Sequence, residues 1–107
     1  MNSVFDLHGY CPEDIYNGLL IRIAQQAWEM DARELTLIHG HGRTRGRGPG
    51  FVHTDTGVLG LAVRRTLMNS LEIRQWVFCS TICRSQAGRT TVRLRLNPRP
   101  SRKEFEL

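Results

Sequence analysis

Short runs of period-two hydrophobicity bracket longer runs with helical spacing along this chain, and the two periods lay out its elements. Val4-Phe5-Asp6-Leu7-His8 alternates, with Val4, Asp6 and His8 on one face and Phe5 and Leu7 on the other, and so reads as a strand ended by Gly9. Pro12 suits a first helical position, and Glu13 and Asp14 suit the positive end of a helix dipole. Ile15, Leu19, Ile23, Ala27 and Met30, widened by Leu20 and Trp28, then form an apolar stripe that predicts a helix from Pro12 to about Met30. Cys11 stands at its cap, where serine, threonine or aspartate is favoured.

Glu34 to His39 is the second predicted strand, stopped by Gly40-His41-Gly42. A loop rich in glycine and arginine follows, from Arg43 to Thr56; at that length it reads as functional or disordered. A second helix is expected from Thr56 or Gly57 to about Leu71, with Leu59, Val63, Leu67 and Leu71 as its stripe. Ile73 to Ile82, containing Trp76-Val77-Phe78, is the third strand, and the two tryptophans, Trp28 and Trp76, are assigned to the core. Thr90 to Leu96 is the fourth, with Val92, Leu94 and Leu96 inward and Arg93 and Arg95 outward. Asn97-Pro98-Arg99-Pro100 ends it, leaving residues 101–107 as a loose tail.

The order β-α-β-α-β-β predicts an α/β chain, an α+β-like two-layer sandwich over residues 1–100 with a four-stranded mixed sheet and helices on one face. A βαβ unit makes the first two strands parallel neighbours. His8-Gly9 and His39-Gly40-His41-Gly42 then meet at their carboxyl edge, where ligands of such sheets bind.

Composition narrows the partner. The chain has 107 residues, room for one core and one domain, and a net charge of +5. Residues 1–34 carry a net −4, residues 35–103 a net +11, and two acids close the chain. Such segregation points to a polyanion, nucleic acid before membrane. No apolar run of spanning length and no secretory leader is seen, and the cysteines (Cys11, Cys79, Cys83) fit no zinc spacing, so a reduced, cytoplasmic protein is expected.

Asp6 and His8, two apart on one strand face, form a pair in which a carboxylate orients an imidazole for acid–base work. The alternative is that Asp6 caps a local turn and His8 is an ordinary edge residue. Gly40 and Gly42 around His41 allow a backbone nest for a phosphate oxygen. Arg43, Arg45 and Arg47 stand beside it, unless they belong to a solvated hairpin; Phe51 and His53 offer rings for stacking on a base, Phe51 having the alternative of anchoring the loop to the core. The glycine pattern matches neither a dinucleotide fingerprint, since position 45 is Arg45, nor a P-loop, since the only lysine is Lys103. No dedicated metal site is expected from His39, His41 and Asp6.

Phe5-Asp6-Leu7-His8-Gly9 and Ile38-His39-Gly40-His41-Gly42 together resemble the paired signatures of the Smr (small MutS-related) domain, over roughly residues 4–96. The resemblance implies a small α/β nucleic-acid-binding domain, some of whose members nick DNA or cleave RNA. It places the catalytic candidates at Asp6 and His8, and assigns nucleic-acid binding and a share in catalysis to His39, Gly40, His41 and Gly42. Phe5 replaces the usual leucine, the loop after Gly42 is longer and more basic, and a late Gly-Gly-x-Gly is reduced to Ala87-Gly88-Arg89. The expectation is an endonuclease acting on DNA or RNA, with Asp6, His8, His39 and His41 catalytic. Gly40, Gly42, Arg43, Arg45, Arg47 and His53 would bind the nucleic acid. Mg²⁺ is an optional assistant with Asp6 as its oxygen ligand, although one carboxylate makes a poor cage. The alternatives are a non-catalytic module for structured RNA, DNA or the ribosome, and a metal-dependent hydrolase of small phosphate esters. The sequence leaves the oligomeric state open.

Overall fold

The computed structural model describes residues 2–40, 57–86 and 88–107. Four strands form one mixed sheet: β1 (Asn2–Asp6), β2 (Glu34–Ile38), β3 (Val77–Gln86) and β4 (Arg89–Leu94), in the order β1-β2-β4-β3. β1 and β2 are parallel, while β4 runs antiparallel to both β2 and β3. This is the expected α+β sandwich, and it adds what periodicity does not show: the last strand inserts beside β2.

The alternation predicted for the strands decides which face is covered. Phe5, Leu35, Leu37, Thr90, Val92 and Leu94 turn toward the helices, and all but the half-buried Phe5 are buried. On the opposite face Val4, Asp6, Arg89 and Arg93 are exposed, and Thr36, Ile38 and Thr91 are half-buried. Burial of one face against helices and exposure of the other is the two-layer arrangement.

The helix expected from Pro12 to Met30 is broken. Its pieces are α1 (Pro12–Asp14), a wide turn over Ile15–Leu19 and α2 (Leu20–Glu29), with Gly18 at φ +107° inside the wide turn. Only a residue without Cβ tolerates that conformation cheaply, and the stripe survives the break because Ile15, Leu19, Ile23 and Ala27 all stay buried. The Cys11 cap is completed by its neighbour: the Asp14 carboxylate accepts the Cys11 N–H at 2.9 Å and the thiol at 3.3 Å. Those two bonds, the backbone one first, hold the Asp14 carboxyl below the usual carboxylate range, against a small opposing effect of burial.

Three expectations shift. α3 (Gly57–Asn69) ends before Leu71, which is 75% exposed, because Leu71 opens a separate 3₁₀ turn over Glu72–Gln75 and leaves the helical period. That turn occupies the residues expected to begin β3, so the strand starts at Val77. Leu96 faces solvent rather than the core, because the chain leaves the sheet to cross the end of α2. There the Leu96 carbonyl accepts the Trp28 indole N–H at 3.3 Å, and Asn97 Nδ2 donates to the Trp28 carbonyl at 2.9 Å.

The final residues are strapped to α2 rather than loose. Ser101 and Arg102 N–H groups donate to the Glu29 carbonyl, and Arg102 Nε lies 2.9 Å from Glu29 Oε1. The buried Gln26 amide bonds the Glu106 backbone in both directions. Phe105 meets Phe5 edge-on at 5.0 Å between ring centroids, tying the tail to β1.

Candidate functional site

The ladder registers place the first candidate residues. Asp6 is opposite Ile38, which is opposite Arg89, so one row of the open face runs Asp6, Ile38, Arg89 across β1, β2 and β4. Adjacent strands lie about 4.8 Å apart, so the backbones of Asp6 and Arg89 are roughly 10 Å apart at the carboxyl edge of the parallel pair. Leu7 N–H donates to the Ile38 carbonyl at 2.7 Å, extending β1 one residue alongside β2.

Past Leu7 the chain turns sharply. Tyr10 N–H closes on the Leu7 carbonyl at 3.1 Å, with Gly9 at φ +88° in the position of such a turn that favours glycine. His8 therefore stands on the turn's corner, its side chain 83% exposed. Its Nδ1 lies 3.4 Å from Asp6 Oδ1, an ion-pair contact longer than a hydrogen bond. The same oxygen accepts the His8 backbone N–H at 2.9 Å. Asp6 thus does both jobs weighed from the sequence, capping the turn and standing beside the imidazole. Both side chains are open to solvent, so their mutual attraction is screened until a ligand covers them.

His39 and Gly40 are placed differently. Their two backbone N–H groups both donate to the Gly88 carbonyl, each at 3.0 Å. The amide of Gly40 is therefore engaged within the protein instead of being offered to a phosphate, and Gly40 adopts a φ of +78°. The His39 ring is buried at 7% exposure, with Nε2 2.9 Å from Thr90 Oγ1 and Nδ1 3.1 Å from the Gly40 carbonyl. A carbonyl only accepts, so in the neutral ring Nδ1 carries the proton and Nε2 accepts from the Thr90 hydroxyl. That arrangement anchors the turn; the solvent-facing imidazole of the described residues at this edge belongs to His8. His41, Gly42, Arg43, Arg45, Arg47, Phe51 and His53 lie outside the described residues.

Sequence reasoning missed Gly88, Arg89 and Thr90. Arg89 shares the outward parity of Arg93 and Arg95, so the alternation contained it. What was missing was the position of β4 beside β2, which makes an outward arginine a neighbour of Asp6. Among the described residues no three or more His, Cys, Asp or Glu side chains are grouped to hold a metal ion. Among the described residues the carboxylate at this edge is that of Asp6, which is exposed and accepts the His8 N–H, and one carboxylate alone makes a poor cage for Mg²⁺. No helix among the described residues is long and apolar enough to cross a membrane.

Comparison with known proteins agrees with the paired turns: the family model described as the Smr domain matches residues 5–95. No curated protein and no solved structure matches the chain.

Proposed function

The chain belongs to the Smr domain family, a nucleic-acid-binding family with nuclease-like potential, and we propose that it is an endonuclease that cleaves phosphodiester bonds of DNA or RNA. The observation that carries this reading is the row that sets Asp6 and Arg89 on either side of Ile38, with His8 exposed on the turn directly above. An imidazole, a carboxylate beside it and a guanidinium across one strand supply an acid–base group, its orienting partner and an anion clamp.

In the proposed step His8 takes the proton of the attacking hydroxyl or water as its oxygen bonds phosphorus. The opposite P–O bond breaks, and the departing oxygen takes a proton from the water that reaches this exposed edge. Arg89 opposes the charge gathering on the non-bridging oxygens, a stabilisation that grows once substrate excludes water from the edge. Asp6 keeps the His8 turn closed through its backbone and faces the ring as positive charge develops there. His39 is a positioning residue, holding the Gly40 turn against β4 through Thr90. His41 retains its sequence-based assignment to catalysis, and Gly42, Arg43, Arg45, Arg47 and His53 theirs to nucleic-acid binding.

Purified protein and a His8→Ala variant, each incubated with supercoiled plasmid and with structured RNA, with and without Mg²⁺, test the reading. Scission by the parent chain and its loss in the variant is the expected result. Equal scission by both places the activity elsewhere. Salt-dependent binding without scission under every condition would establish the non-catalytic module instead.

A further inference from the structure

The edge just described occupies one end of the open sheet face. At the other end lies a cleft of about 360 Å³, lined by Arg33, Glu34, Phe78, Arg93 and Leu96 among others. Val77 pairs with Leu94, after which the register of β3 shifts, and Phe78 and the exposed Arg93 both line the cleft. The Arg95 guanidinium covers Phe78, its Cζ 4.5 Å from the ring centroid, and its Nε donates to the Arg74 carbonyl at 2.8 Å. Ring and guanidinium thus form a fixed stacked pair at the wall of a small, partly apolar cleft, with Leu96, 66% exposed, beside it.

We propose that this face is a track for an unpaired nucleic-acid strand, with a base inserted against Phe78 in the cleft and the flanking phosphates held by Arg33 and Arg93. Three observations carry it. The cleft presents an aromatic wall, which takes up the flat face of a base; in a duplex that face is stacked internally and is not available. The charge of the face is complementary to phosphate, with Arg33, Arg89, Arg93 and Arg95 against Asp6 and Glu34. The face is also continuous with the proposed cleavage edge. The Arg93 row and the Arg89 row are four residues apart on β4, about 13 Å at 3.3 Å per residue, and a strand stacked at 3.4 Å per nucleotide covers that in about four nucleotides. The inference rests on the nucleic-acid reading above and sharpens it: the substrate is unpaired where it crosses the sheet.

The test uses the full chain carrying His8→Ala, so that the probe stays whole. Fluorescence anisotropy is measured with a short labelled RNA, with DNA of the same sequence and with the corresponding duplex. Because binding is read on a cleavage-blocked chain, failure of the nuclease reading and failure of this one show up separately. Single strands should bind more tightly than the duplex. Phe78→Ala should weaken single-strand binding by about 5- to 150-fold, the range of one lost base stack, while Phe78→Trp retains it. Arg93→Ala, at an exposed position that leaves the core intact, should flatten the log–log salt slope by about 0.7. Either order of RNA and DNA supports the track, since both present bases and phosphates. Unchanged single-strand binding in Phe78→Leu and Arg93→Ala overturns it, as does an equal loss on the duplex. Sedimentation as a dimer that Arg93→Ala dissociates, with no change in oligonucleotide binding, assigns the face to a second copy of the chain and overturns it too.

Discussion

Replacing Thr90 by valine removes one hydroxyl and keeps the side-chain shape, and so isolates the bond that anchors His39. Thr90 is fully buried and His39 is 7% exposed, with 2.9 Å between Oγ1 and Nε2. In the variant a methyl group faces the buried His39 ring and this one bond is lost. Removing one partner of a buried hydrogen bond costs about 1–3 kcal/mol. Taking about 2 kcal/mol, and roughly 4–8 °C per kcal/mol for a domain near this size, the melting temperature should fall by roughly 10 °C. Circular dichroism measures that fall. A second readout separates anchoring from bulk stability: at a temperature well below both transitions, Thr90→Val should move the amide resonance of Gly40 and lower the cleavage rate, and Thr90→Ser should restore both. A melting temperature unchanged within about 2 °C would refute the anchoring role. Full cleavage with a displaced Gly40 resonance would refute the link from this turn to catalysis.

Other outcomes follow from the same geometry. Among the described residues Gly40→Ala meets no atom within 4 Å, so its cost is that of the left-handed backbone, about 1–2 kcal/mol, seen as a lower urea midpoint at unchanged slope. Phe105→Ala should cost about 2 kcal/mol, since it removes a half-buried ring and its edge-on contact with Phe5, while cleavage well below the transition stays at the parent level; thermal unfolding reads the loss, and no shift would mean a free tail. The Asp14 carboxyl is held below its ordinary value in the folded chain, so its contribution to stability is present above the ordinary carboxylate range and disappears as pH falls through the lowered folded-state value. Asp14→Asn should therefore flatten the acid limb of stability against pH below about 4, measured by urea titrations at successive pH values; an unchanged acid limb would count against the cap.

Much of this was legible in the chain itself. Period-two alternation identified which residues of β1, β2 and β4 face inward, because a strand's side chains must alternate whatever it pairs with. The parallel pairing of β1 and β2 followed from the helix between them, and with it the meeting of the His8 and His39 turns at one edge. The signature turns were visible because both need glycine, and Gly9 and Gly40 do take positive φ. Where the chain was misread, a local event had broken the period: Gly18 split the first helix, and a 3₁₀ turn consumed the start of β3.

The Asp6–His8 pair with which the site begins was thus fixed by local sequence, two positions apart on one strand face. Its surroundings were decided by the fold. Only the insertion of β4 between β2 and β3 brings Gly88, Arg89 and Thr90 to the His39 turn, some fifty residues away along the chain, committing the Gly40 amide and burying the His39 ring. Periodicity reports which face a residue takes, but the order of strands is a long-range choice among packings. That choice separates the exposed His8 from the anchored His39, two histidines the sequence presents alike.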